Sequence, residues 1–136
     1  MTEHGLDLSD DFTGRPGAAF VVGGSGGLGA AVVRELAARG SDVAFTYRQN
    51  EASAAQLAQT VSDLGRQAWT IGLDLRNHDG CAQAIDAIAE AAGGIHTLVY
   101  AAGPHVPQKH LSKVTPAEMQ EQLDADASGF FAVASP

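Results

Sequence analysis

Residues 18–33, AAFVVGGSGGLGAAVV, decide how the rest of the chain is read. A β-favouring apolar run, Ala18–Val22, breaks into five glycines and one serine and resumes as a helix-like Ala/Val pattern. A turn so bare between a strand and a helix suits a phosphate-bearing ligand, because backbone N–H groups and a helix N-terminus can meet an anion where no side chain intervenes. On that reading Gly23 permits the sharp turn, Gly27 lets a pyrophosphate approach the backbone, and Gly29 lets helix and strand pack closely. Plain structural turns use the same residues, so the glycines alone leave that alternative open. No Lys-Ser/Thr pair follows them, which argues against a P-loop. A methyltransferase-type nucleotide site would want an acid at the end of the second strand, and residues 45–50, FTYRQN, contain none.

Outward from this stretch, apolar runs and helical patterns alternate. Leu28, Val32 and Leu36 form a stripe for a helix ending near Gly40, and Val43–Tyr47 reads as a second strand. Asn50 caps a helix with Ala54, Leu57, Val61 and Leu64 on one face, stopped by Gly65. Gln67–Leu73 is a third strand, Asn77 caps a helix carrying Cys81, Ile85, Ile88 and Ala92, and Gly93-Gly94 ends it. Ile95–Ala101 is a fourth strand. After a loop with Pro104 and Pro107, Thr115-Pro116-Ala117-Glu118 combines a capping-box pair with proline at the first helical position. Strands separated by helices of this length predict right-handed crossovers and an α/β fold with a parallel sheet. In the doubly wound, Rossmann-type arrangement the order is 3-2-1-4, and the ligand crevice lies between strands one and four.

Composition narrows the classes. The 136 residues, 45% of them hydrophobic, are enough for one domain with a core. Eight basic residues against sixteen acidic ones leave a net charge of −8, which argues against a surface for nucleic acid. A single cysteine, Cys81, rules out an internal disulfide and suits a reducing compartment. The N-terminus has no apolar signal region and no stretch approaches a membrane span, so the expected location is cytoplasmic, without a membrane partner. Residues 1–11 are expected to form a disordered acidic tail and residues 12–136 the folded domain.

Several motifs in order carry a resemblance. VGGSGGLG resembles the T-G-x-x-x-G-[IL]-G of classical short-chain dehydrogenase/reductases, with Val22 in place of the threonine. AFTYRQNEASA is similar to the strand-two exit of NADPH-using members, LDLRNHDG to the family's D-[VL]-[TR]-[ND], and GGIHTLVYAAG to GxIDxLVNNAG. The resemblance, similar in style to the ketoacyl reductases, runs from about Phe12 to the end. It implies an oxidoreductase acting on a carbonyl/alcohol pair, with a cofactor cradle of Gly23, Ser25, Gly27, Leu28 and Gly29. Asp74 is implied as acceptor for the adenine amino group, with the Leu75 backbone N–H meeting the ring, and Ala101, Ala102 and Gly103 lie beside the nicotinamide ribose. NAD-preferring members place a carboxylate where Tyr47 stands, and Arg48 follows it. Losing the carboxylate and gaining a guanidinium favours a 2′-phosphate, hence NADP(H) over NAD(H). Gly26 lacks the second basic residue that many NADP users carry there.

The departures matter equally. The family's N-N-A-G is Tyr100-Ala101-Ala102-Gly103 here, without two bracing amides. ADASGFF puts Asp126 at the family's catalytic asparagine, and an ionised aspartate accepts but does not donate. The family's Ser and Tyr-x-x-x-Lys have no counterpart in these residues, since Tyr47 and Tyr100 are followed four positions later by Glu51 and Pro104. The 136-residue chain is therefore expected to be inactive alone: a truncated cofactor-binding half, a silent dinucleotide- or partner-binding module, or one subunit of a split reductase. Strand four as an edge, together with Phe130, Phe131 and Val133, predicts a homo-oligomer or a complementing C-terminal chain. His105, Lys109, His110 and Lys113 cluster after strand four without a metal-ligand spacing, and no metal is expected. Cys81 reads as a buried thiol, Trp69 as core, and His96 as structural.

Overall fold

A computed structural model describes residues 11–103 and 108–135. Four strands, β1 (Ala18–Val22), β2 (Asp42–Tyr47), β3 (Ala68–Gly72) and β4 (Ile95–Tyr100), form one sheet in the order β3-β2-β1-β4, and every pairing is parallel. Helices α1 (Gly27–Ala38), α2 (Glu51–Asp63) and α3 (His78–Ala92) connect them. After β4 come a 3₁₀ turn at Leu111–Lys113, α4 (Pro116–Leu123), a π-helical turn at Asp124–Ser128 and α5 (Gly129–Ala134). The α/β, Rossmann-type order expected from the sequence is the one observed, and the strand limits shift by a residue at most.

Two cores lie on opposite faces of the sheet because successive strand residues point to opposite sides. Ala19, Val21, Val43 and Phe45 pack with Val33 and Leu36 of α1 and Leu57 and Val61 of α2. Phe20, Val22 and Ala44 face the other way, against Cys81, Ile85 and Ile88 of α3 and Val133 of α5. Being buried on both faces explains the unbroken apolar run of β1. Two partners make β1 central, whereas β4 has one and is only half-buried.

The expected caps form. Asn50 and Asn77 accept the N–H groups of Ser53 and Gly80, each at 3.0 Å, and Gly93 ends α3 in the left-handed conformation. Thr115 and Glu118 make the reciprocal capping box that opens α4.

Several packing expectations need correction. The buried face of α1 is Gly29, Val33, Leu36 and Ala37, not the Leu28–Val32–Leu36 stripe; Leu28 lies in the first turn, beyond the sheet's edge of cover, and is 72% exposed. Leu64 follows the end of α2 and is exposed rather than continuing its apolar face. Trp69 is half-buried against the second core because β3 is the other sheet edge. Val133 is buried, not presented with Phe130 and Phe131, because α5 turns it onto α3. At the amino end of β4, His96 stacks on Phe12 at 5.5 Å and shares hydrogen bonds with Thr97 and Ser41, a packing role. Burial, then the charge of Arg15, hold its imidazole below the ordinary value.

Candidate functional site

The chain crosses from one face of the sheet to the other at β1, and the carboxyl ends of β1 and β4 open a crevice there. β1 runs into Gly23, whose φ of +80° and proximity to β4's exit both demand glycine: a Cβ would stand 2.7 Å from Cα of Ala102. Thr46, buried in β2, accepts the Gly23 N–H at 2.9 Å and ties the turn to a second strand. Behind the turn, a Cβ on Gly29 would fall 2.0 Å from the Gly23 carbonyl oxygen, so glycine sets the closeness of helix and loop. At Gly27 the same Cβ would meet nothing, leaving the approach to the backbone open. The Ala30 N–H reaches the Gly26 carbonyl at 2.7 Å, so the N–H groups of Gly27, Leu28 and Gly29 precede the helix's own bonding. No acid occupies that first turn, and the positive end of the helix dipole stays uncompensated there.

A cleft of about 430 Å³ adjoins this turn. Gly23, Ser25, Tyr47, Arg48, Asp74, Leu75, Ala101, Ala102 and Gly103, all singled out from the sequence, line it. Gly27, Leu28 and Gly29 lie in α1 outside the lining, and Asp126 is exposed beside Ala125, which lines the cleft while Asp126 does not. Thr46, Leu73, Arg76, Glu121 and Gln122 also line it and were not expected. The hydroxyl of Thr46, following the apolar Val43–Phe45, was the readable signal for one of them. Glu121 and Gln122 reach the cleft only because α4 folds back over it.

Charge is concentrated at one end. Asp74 accepts the Arg76 N–H and Nε at 3.0 Å on Oδ1 and Nη2 at 2.7 Å on Oδ2. The Arg76 side-chain bonds, then its backbone N–H, hold this carboxyl down to about 2, with Arg48 adding a smaller Coulombic pull. Arg48 itself makes no hydrogen bond or ion pair among the described residues, and neither does the Leu75 N–H donate one among them.

Tyr100 shows what replaced the missing amide at its position. Its hydroxyl donates to the Ala125 carbonyl at 2.7 Å, and its ring meets Phe130 edge-on at 5.4 Å, which joins the end of β4 to the π-helical turn. Burial first, then the Asp126 charge, push this phenol up to about 12, so it stays protonated at neutral pH. Cys81 is fully buried with Sγ 3.8 Å from the Leu75 carbonyl, and burial pushes its thiol up, which suits a packing thiol and not a nucleophile.

Among the described residues no three His, Cys, Asp or Glu side chains converge as a metal site. His105 lies outside the described residues; Lys109 pairs with Glu118, and His110 accepts the Ser112 N–H in the 3₁₀ turn that contains Lys113. No helix among the described residues is long and apolar enough to cross a membrane.

Residues 17–135 match the family model for short chain dehydrogenases. The chain belongs to that family. Its members are oxidoreductases that use NAD(P). Acetoacetyl-CoA reductase of Paracoccus denitrificans is 31% identical over 118 residues, 87% of this chain and 46% of the reductase. YusS, a short-chain dehydrogenase/reductase homolog of Bacillus subtilis, is 32% identical over 99 residues, 71% of this chain and 91% of YusS. A short chain dehydrogenase of Burkholderia cenocepacia, solved in complex with NADP, superposes with a TM-score of 0.82 at 33% identity, covering 87% of this chain and 48% of that one. The chain thus spans about half the length of the first and third of these proteins and most of the second.

Proposed function

We propose that this domain holds NADP(H) in preference to NAD(H), as the cofactor-binding part of a reductase that interconverts a carbonyl and an alcohol. The observation that carries the preference is the end of β2, where Tyr47 stands in place of a carboxylate and the unpaired guanidinium of Arg48 stands next to it on the cleft. A 2′-phosphate there meets no repelling charge and gains a charge-assisted partner. The surroundings fit the same molecule. The start of α1 beside the cleft, with its open Gly27 and free N–H groups, suits a pyrophosphate; within the cleft the Leu75 N–H beside the Asp74 carboxylate offers one donor and one acceptor to an adenine edge, and Ala101, Ala102 and Gly103 leave room for the nicotinamide ribose.

Bound nicotinamide supplies or takes up a hydride. The chain's own residues bind and orient it, but the 136 residues contain no Tyr-x-x-x-Lys to move the accompanying proton. Asp126, at the family's asparagine, accepts but does not donate when ionised. These 136 residues by themselves are accordingly a cofactor binder without turnover, and a cytoplasmic location is part of the same proposal.

Calorimetric titration of NADPH and NADH into the chain and into Arg48→Ala tests this reading. NADPH binding tighter than NADH, with a loss of about 1.5–3 kcal/mol for NADPH alone in the variant, supports it, and less where solvent screens the exposed guanidinium. Equal affinities untouched by the substitution remove Arg48 from the account.

A further inference from the structure

Asp74 is more tightly specified than an exposed carboxylate at a strand exit needs to be. An ionised carboxylate offers about four acceptor positions. Arg76 takes three of them: its backbone N–H and Nε both reach Oδ1, and Nη2 reaches Oδ2. One position remains, on Oδ2, and the side chain that carries it lines the cleft next to the unbonded Leu75 N–H. The two residues that set this arrangement are only two apart in sequence, on a turn closed by the Asn77 N–H to the Asp74 carbonyl at 2.9 Å. The guanidinium is exposed, with 47% of its side-chain surface in solvent, and packs in no core, so holding Asp74 is the contact that defines its place.

We propose that Arg76 is a positioning residue for base recognition: by filling three of the four acceptor positions of Asp74 it leaves a single fixed acceptor, matched to one N–H of a 6-amino purine. The inference rests on the dinucleotide reading of the cleft and goes beyond it in making purine selectivity a property of Arg76. A 6-oxo purine presents a carbonyl oxygen to the same carboxylate, two acceptors facing each other, and is rejected. Without Arg76 the carboxylate turns freely and is hydrated, and ordering it against the base costs side-chain entropy that the native pair has already spent. The dipeptide Asp74-Leu75 then still binds, but reads the base poorly.

The test compares NADPH with its 6-oxo analogue, reduced nicotinamide hypoxanthine dinucleotide phosphate, by calorimetry on the whole chain. The wild-type chain is expected to favour NADPH about tenfold, the scale of one hydrogen bond to a charged group. Arg76→Ala should bring that ratio close to one. A general loss of positive charge near the phosphates weakens both ligands alike and cancels in the ratio. Arg76→Lys keeps the charge but not the planar fork, so its ratio should also fall, which separates geometry from charge and supplies a second variant where the first folds poorly. A ratio unchanged in both variants overturns the role of Arg76 while leaving the dinucleotide site standing. A wild-type ratio near one overturns base reading by Asp74, and with it this inference. Failure of the wild-type chain to bind either nucleotide overturns the dinucleotide reading itself.

Discussion

Thr46 Oγ1 accepts the backbone N–H of Gly23 at 2.9 Å, and so the second strand holds the conformation of the turn that follows the first. Thr46 is buried and Gly23 half-buried, and the N–H has no other partner among the described residues. Thr46→Val keeps the shape and strands that donor. Unfolding in urea should show a loss of about 1–3 kcal/mol, and Thr46→Ser should restore most of it. Unaltered stability in the valine variant would show that water or a relaxed turn satisfies Gly23.

Two glycines six positions or fewer from Gly23 should behave in opposite ways. Gly29→Ala drives a Cβ into the Gly23 carbonyl and must displace the loop, so both stability and dinucleotide binding fall. Gly27→Ala meets open space within the chain and, at the start of a helix, leaves stability unchanged or slightly raised. Dinucleotide binding by Gly27→Ala should fall at least tenfold if a pyrophosphate approaches there. Thermal melts paired with titrations separate the two; a Gly27→Ala chain that binds normally places the phosphates elsewhere.

Acid and alkali should act on different corners of the site. The folded Asp74 sits at about 2, below its ordinary 3.8, so its contribution is fully present above pH about 4 and is lost as pH falls towards 2. In Arg76→Ala the carboxyl should titrate near its ordinary value, as carboxyl NMR would show. Tyr100 is shifted the other way, to about 12, so its contribution is complete below pH 10 and is lost as pH rises through 12. Phenolate absorbance should show a late step that Tyr100→Phe abolishes; a late step surviving that substitution would contradict the assignment to Tyr100.

Fold legibility followed from period and punctuation. The apolar runs, the asparagine caps and the Thr115–Glu118 box are local signals, and they mark the elements within about a residue. Side-chain burial was less legible where it depends on distant partners. Leu28 continues a helical stripe on paper, yet the sheet does not reach it; Val133 looked uncovered until α5 was seen to lie on α3. In the cleft, the strand exits were readable because strand ends in this order must meet there. Glu121 and Gln122 were not, since nothing local says that α4 returns over the strand ends. The motif LDLRNHDG gives Arg76 no role by itself, because its part lies in bond geometry.

The surface beyond β4 predicts association. Phe131 is 69% exposed and Phe130 48%, with Met119 and Leu123 also exposed, and among the described residues one edge of β4 pairs with no strand and carries no proline or lysine to protect it. Light scattering should report a homo-oligomer, and Phe131→Asp should shift it towards monomer. A wild-type chain that stays monomeric at high concentration with the amides of residues 95–100 unprotected would contradict this.

The crevice at the carboxyl ends of β1 and β4 is proposed to hold NADP(H). Hydrogen exchange of the chain with and without NADPH tests it at every peptide at once. Slower exchange is expected in residues 23–29, 46–48, 73–76 and 101–103, with NADH producing a weaker form of the same pattern. Protection absent from those four segments, or confined to the α3–α5 side of the sheet, would contradict it.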